Sequence, residues 1–279
     1  MPRFLTIWLP RWPVQRRLLA RPELRRVPVF VCRRERRGAM TVVSWAWADP
    51  PPTERRKSGS PARGTIPSGM SLAEAMAVLA VAHGSRACHV AEVQADDPVA
   101  DREALERLAR WCRRFSPTVG IEEVVAGEPE CLHLDVTGTA GFFGGEEALA
   151  RTAVWTLAAR GLHARVAIAD TPAAAWAAAH HTDIVAQAGG ESSPLVVRRA
   201  TAGASAPGVR LASRRRRRWV VVPRHEAARL AVLPVAALRI DESTAAAVAE
   251  VGIDTIGGVL ALSSRSLASR SVSAPSSPP

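Results

Sequence analysis

Residues 115–145 read FSPTVGIEEVVAGEPECLHLDVTGTAGFFGG, and the middle of that stretch decides how the chain folds. From Cys131 to Val136 apolar and polar residues alternate, with Leu132, Leu134 and Val136 in one set and Cys131, His133 and Asp135 in the other. A period of two places each set on its own face of a β-strand. Thr137-Gly138 ends the strand, and Phe142-Phe143 before Gly144-Gly145 reads as an apolar plug at the turn into the next helix. An acid on a strand beside a Gly-rich turn fits the floor of an active site, although the pattern alone is more often that of an ordinary half-buried strand.

Upstream, Phe4–Leu9 is a buried strand, and Pro13 suits the first turn of a helix through Val14, Leu18 and Leu19. Two more strands are expected at Pro28–Cys32 and Met40–Trp45. Ala48–Gly69 is rich in Pro, Arg, Ser and Gly and is expected to be a flexible loop. Ser71-Leu72-Ala73-Glu74 is a capping box opening a helix that Gly84 closes. A strand at Cys88–Val93 follows, then an amphipathic helix over Pro98–Arg114 with Leu105, Leu108 and Cys112 on its apolar face. Arg107, Arg110, Arg113 and Arg114 on the same helix read as a solvated face rather than a DNA groove. Downstream lie a helix at Glu146–Gly161, a strand at His163–Ala169 and a short helix from Thr171-Pro172 to His180. His180-His181 with Asp183 is a helix end and not a metal site, because adjacent helical side chains diverge.

The chain has 279 residues and a 47% hydrophobic content, enough for a folded body with a sizeable core. A net charge of +11 points to an acidic partner, foremost nucleic acid. Lys57 is the sole lysine, so part of this balance reflects an Arg-rich composition. Cys32, Cys88, Cys112 and Cys131 show no zinc-ligand spacing or disulfide framework and suit a reducing cytoplasm. The first apolar run is too short for a signal peptide, and no apolar stretch is long enough to span a bilayer. A cytoplasmic protein with no membrane partner is expected. No G-x-x-x-x-G-K-[ST], G-x-S-x-G or H-E-x-x-H motif is present.

The SP-x-V…LDVTG segment at 116–138 resembles the palm strand of Y-family translesion DNA polymerases, which reads roughly S-I-D-E-A-Y-L-D-V-T. The opening Ile7-Trp8-Leu9-Pro10-Arg11-Trp12-Pro13 is similar to that of the ImuB-type subgroup, in which the palm persists without its catalytic carboxylates. Gly69–Ala75 resembles the family's G-M-x-L-x-E-A stretch, and Ala167–Pro172 its I-A segment without the basic residue. The resemblance implies an α/β (α+β) fold: a ferredoxin-like palm of antiparallel type with helices, reduced fingers and a helical thumb. Aligned on Leu134-Asp135-Val136-Thr137, the family's metal-binding Asp-Glu pair falls on Glu130 and Cys131, and its first catalytic aspartate on Trp8. No catalytic residue and no metal site is therefore expected, magnesium being held at most weakly by Glu130. Asp135 lies roughly 17 Å further along the strand and does not replace them. Glu122 and Glu123 can approach, but no family pattern places them at the metals.

The expected organisation is a palm and fingers over 1–185, a linker over 186–218, a thumb-like subdomain over 219–269 and a disordered tail over 270–279. Leu233-Pro234-Val235 and Val251–Leu260 resemble the family's helix-hairpin-helix, whose backbone amides hold a phosphate. This makes Val251, Gly252 and Ile253 candidate DNA contacts, with the basic run at Arg214, Arg215 and Arg216. Asp241 and Thr255 are candidate helix caps there. The resemblance implies a little-finger domain and a further C-terminal region beyond the thumb, before which this chain ends, and no Q-x-x-L-F clamp peptide is visible. The function implied is that of an inactive accessory in translesion synthesis and SOS mutagenesis. Its partners would be DNA, a DnaE-type error-prone polymerase and the sliding clamp. A structural or DNA-binding remnant is the alternative, and an active polymerase would need carboxylates that cannot be placed.

Overall fold

The structure, a computed structural model, describes residues 1–36, 38–50, 66–123, 129–188, 218–225, 227–240 and 242–261. Arg214, Arg215 and Arg216, most of the 48–69 loop, Asp241 and the C-terminal tail lie outside the described residues.

The first strand made, β1 (Phe4–Trp8), becomes the centre of a five-stranded sheet in the order β5 (Val119–Ile121), β6 (Cys131–Asp135), β1, β7 (Arg165–Ala169), β8 (Trp219–Val221). β1 pairs antiparallel with both neighbours, Leu5 facing Leu134 on one side and Ile168 on the other. Alternation does the rest. Leu5, Ile7, Leu132, Leu134, Val166 and Ile168 are fully buried on one face, covered by α4 (Pro98–Cys112) and α5 (Glu146–Ala159). Each such aliphatic side chain contributes about 1.5–3 kcal/mol of burial. The opposite face carries Phe4, Trp8, Ala167 and Ala169 beneath the Ala-rich α6 (Pro172–His180). Thr171 caps that helix by accepting from the Ala174 amide at 3.1 Å.

A second, three-stranded sheet joins β2 (Val29–Arg34), β3 (Met40–Ala46) and β4 (Glu92–Ala95), with β2 central. α1 (Trp12–Ala20) leads into it, and α2 (Leu72–His83) opens on the full capping box of Ser71 and Glu74. The strand expected at Cys88–Val93 is shorter. Residues Ser85–His89 form a one-turn helix, α3, and pairing with β2 starts at Glu92. The Phe142-Phe143 plug is half a plug: Phe143 packs on Phe115 at 6.1 Å between ring centroids, while Phe142 is 90% exposed.

Trp219–Val221, grouped by sequence with the C-terminal subdomain, is the fifth strand of the first sheet, parallel to β7. Arg3, 1% exposed, fixes that junction: it contacts both carboxylate oxygens of Glu146, pairs with Asp170 at 2.8 Å and donates to the Val222 carbonyl at 2.8 Å. A short helix, α7 (Thr182–Ala188), follows α6, and beyond β8 the chain forms short 3-10 turns at Ala227–Leu230 and Val235–Leu238, then α8 (Glu242–Glu250) and a helical turn over 256–261. Gly258 packs so closely that an added Cβ would sit 2.9 Å from Ile253 Cγ2, and its amide is 3.3 Å from Thr255 Oγ1.

Candidate functional site

Pairing of β1 with β6 sets Trp8 directly opposite Cys131, and the Leu9 amide donates to the Glu130 carbonyl at 2.8 Å. The three positions singled out in the sequence therefore meet on the face of the sheet away from α4 and α5. Trp8 Nε1 donates to Glu130 Oε2 at 3.0 Å, and the Trp12 amide donates to Oε1 at 3.2 Å. Both oxygens of this carboxylate thus already accept hydrogen bonds. Burial raises its pKa, opposed first by the Trp8 bond.

Glu122 lies beside it, 6% exposed. Its carboxylate accepts from Trp176 Nε1 at 2.7 Å and from the Glu130 amide at 3.3 Å, and it pairs with Arg239 at 2.9 Å. Glu123 is exposed and offers only its carbonyl, to Arg239 at 3.2 Å. His180 stacks on Trp8 at 4.0 Å and on Trp176 at 3.8 Å. Its Nδ1 is 2.8 Å from the Trp176 carbonyl, an acceptor only, so that nitrogen carries the proton and donates. Burial pushes the His180 pKa down to about 4, leaving a neutral ring at pH 7. Guanidiniums close both ends of this run: Arg165 is 5.3 Å from the Trp8 centroid and Arg239 is 4.9 Å from that of Trp176.

Cys131 is buried, and its thiol is pushed far up by burial and by nearby Glu122, so it stays S–H. His133 is held by Thr6, whose Oγ1 is 2.9 Å from Nδ1. Asp135, at the other end of β6 opposite Phe4, accepts from the Thr137 amide at 2.9 Å. Magnesium takes hard oxygen ligands in a strict octahedron. An indole and a protonated thiol offer it no oxygen, which leaves Glu130, each of whose oxygens already accepts a hydrogen bond. The positive charges facing these acids are guanidiniums instead, Arg239 paired with Glu122 and Arg11 near Glu130.

The sequence brought together Trp8, Glu130 and Cys131, and the structure keeps them together. It adds Glu122, Trp176, His180 and Arg239. Trp176 and His180 stand four apart on α6, which puts them on one helix face, a signal readable in advance. Nothing local announces Arg239, which arrives from the turn after Val235–Leu238 with φ 59°. At the hairpin, the Gly252 and Ile253 amides donate to the Ala249 and Val248 carbonyls at 2.9 and 3.2 Å. They close α8 in a Schellman-like cap. Val251 is exposed there.

No protein-family model matches the chain. Among solved structures, DinB from Sulfolobus solfataricus superposes with a TM-score of 0.59 at 14% identity, over 93% of this chain and 60% of that one. The insertion ternary complex of Dbh DNA polymerase gives 0.61 at 15%, with the same coverage. At such identities the likeness establishes the fold: a mixed α/β palm of the Y-family polymerase kind. In sequence, 174 residues, 62% of the chain, are 38% identical to Protein ImuB of Caulobacter vibrioides strain NA1000 / CB15N, and the same holds for strain ATCC 19089 / CIP 103742 / CB 15. The chain is thus Y-family polymerase-like in its fold and similar in sequence to Protein ImuB. The match spans about 30% of the length of these curated relatives. Among the described residues, no helix is long and apolar enough to cross a membrane.

Proposed function

We propose that this chain is a catalytically silent, polymerase-like accessory of DNA damage tolerance. It would bind DNA without sequence preference and serve, as in translesion synthesis and SOS mutagenesis, a separate DnaE-type polymerase and its sliding clamp. The observation that carries the reading is the hydrogen bonding of Glu130, whose two oxygens are taken by Trp8 Nε1 and the Trp12 amide. Two-metal nucleotidyl transfer needs carboxylates that clamp the attacking and leaving oxygens, and Trp8 and Cys131 offer none. No metal cofactor takes part in this reading, and the subdomain beyond β8 acts as a thumb-like element.

Purified protein with primer-template DNA, magnesium or manganese and all four nucleotides is expected to give no extension. Extension that disappears in Glu130→Ala would overturn the silent-palm reading. The same DNA, titrated at two salt concentrations, should bind with a log–log slope of about −0.9 per phosphate contact. Absence of binding at low salt would remove nucleic acid from the account.

A further inference from the structure

The outer surface of α4 and α5, on the far side of the sheet from Trp8 and Glu130, concentrates unbalanced charge. The acids of α4 pair near its start, Glu106 with Arg102 at 3.4 Å and Glu103 with Arg107 at 3.7 Å. At its C-terminal end Arg110, Arg113 and Arg114 are exposed, as is Arg160 after α5, and none of the four pairs with a carboxylate among the described residues. Arg114 and Arg160 lie over the same indole, Trp111, at 4.0 and 4.6 Å from its centroid. The two like charges are therefore no farther apart than the sum of those distances. The ring draws them together without a carboxylate partner for either among the described residues. On the outward pole of α5, Trp155 is 66% exposed with Arg151 at 5.5 Å from its centroid. That residue faces away from Leu149, Ala153 and Leu157, which hold the helix to the core.

We infer that this face is a second nucleic-acid surface, for single strands: Arg110, Arg113, Arg114 and Arg160 hold phosphates, and Trp155 stacks an unpaired base. The inference rests on the DNA-binding reading above and places a contact outside the cleft side of the sheet. Single-strand sites combine guanidiniums that track the backbone with exposed rings that take bases. An acidic peptide matches the charge but has no base to lay on Trp155, and a duplex keeps its bases stacked inside. The earlier reading of Arg110, Arg113 and Arg114 as a merely solvated face lacked the second helix, whose end brings Arg160 onto Trp111 with Arg114, while its outward pole carries Trp155.

The test measures anisotropy of labelled oligothymidylate with the full chain and with variants, all exposed positions whose replacement leaves the core intact. Replacing Arg110, Arg113, Arg114 and Arg160 together by Ser should weaken binding about tenfold or more and flatten the salt slope by about 0.7 per lost phosphate contact. Lys at the same four positions should keep most of that slope. Trp155→Ala should weaken binding about fivefold or more and abolish the tryptophan quenching seen with oligothymidylate. Wild-type binding unchanged in the Ser and Ala variants overturns this inference and leaves the DNA-binding reading standing. A wild type that binds no DNA overturns both. Oligoglutamate competing as well as oligothymidylate, with no dependence on Trp155, also overturns it.

Discussion

On one face of the five-stranded sheet, Leu5, Ile7, Leu132 and Leu134 belong to an apolar cluster completed by α4 and α5. On the other, Trp8, Cys131 and His133 meet rings, carboxylates and guanidiniums from α6 and from the turn at Arg239. The same strands build both faces. The first is held by area removed from water, which tolerates a range of apolar side chains. The second is held by particular donors meeting particular acceptors, in which each loss strands a buried partner. A palm can therefore keep its fold through the first face while the second takes on a different chemistry.

Three substitutions would break or sharpen that contrast. Leu132→Ala, on the aliphatic face, should lower stability by about 2–5 kcal/mol in denaturant unfolding, since the site is fully buried between two helices. Trp8→Phe keeps the ring on His180 but removes the indole N–H. Leaving Glu130 Oε2 without that donor should destabilise by about 1–3 kcal/mol. A loss as large as that of Leu132→Ala, or none at all, would erase the distinction between the faces.

The smallest effect concerns pH. The folded His180 titrates at about 4, below its ordinary 6.5, so the unfolded chain binds this proton first. Its contribution is fully present above about pH 6.5 and is lost as pH falls toward 4. The raised carboxyl of Glu130 acts in the opposite sense, favouring the fold at acid pH. Subtracting the melting profile of His180→Phe from that of wild type isolates the imidazole. The difference should steepen below pH 6.5, and a flat difference would show that His180 is not held neutral.

The aliphatic face was legible because alternation is a local signal. Leu132, Leu134 and Val136 declare it in six residues, and the capping box at Ser71 and Glu74 is equally local. The other face was legible only in part. Trp8, Glu130 and Cys131 were recognisable by resemblance, but Glu122 and Arg239 acquire their meaning from each other across a long separation in sequence. The three-residue β8 was assigned to the wrong body because so short an apolar run carries no record of its partner, β7. Cys88 and His89 fell to a helix because Gly84, with φ 86°, starts a new turn straight after α2. The hairpin amides are hidden from the sequence for a similar reason: what a Gly252 N–H bonds depends on how the preceding helix ends.

Arg3 sets the timetable on the ribosome. β1 is made long before its hydrogen-bonding neighbours, Cys131–Asp135 and Arg165–Ala169, and the Arg3 guanidinium reaches a carbonyl 219 residues downstream. This strand must wait, with both edges unpaired, while the residues up to its partners are synthesised at about 5–20 residues per second. During that interval a strand edge is open to pairing with other chains. Nascent chains halted before β6 should accordingly be captured by holdase chaperones, and those halted after Val222 has emerged should be released.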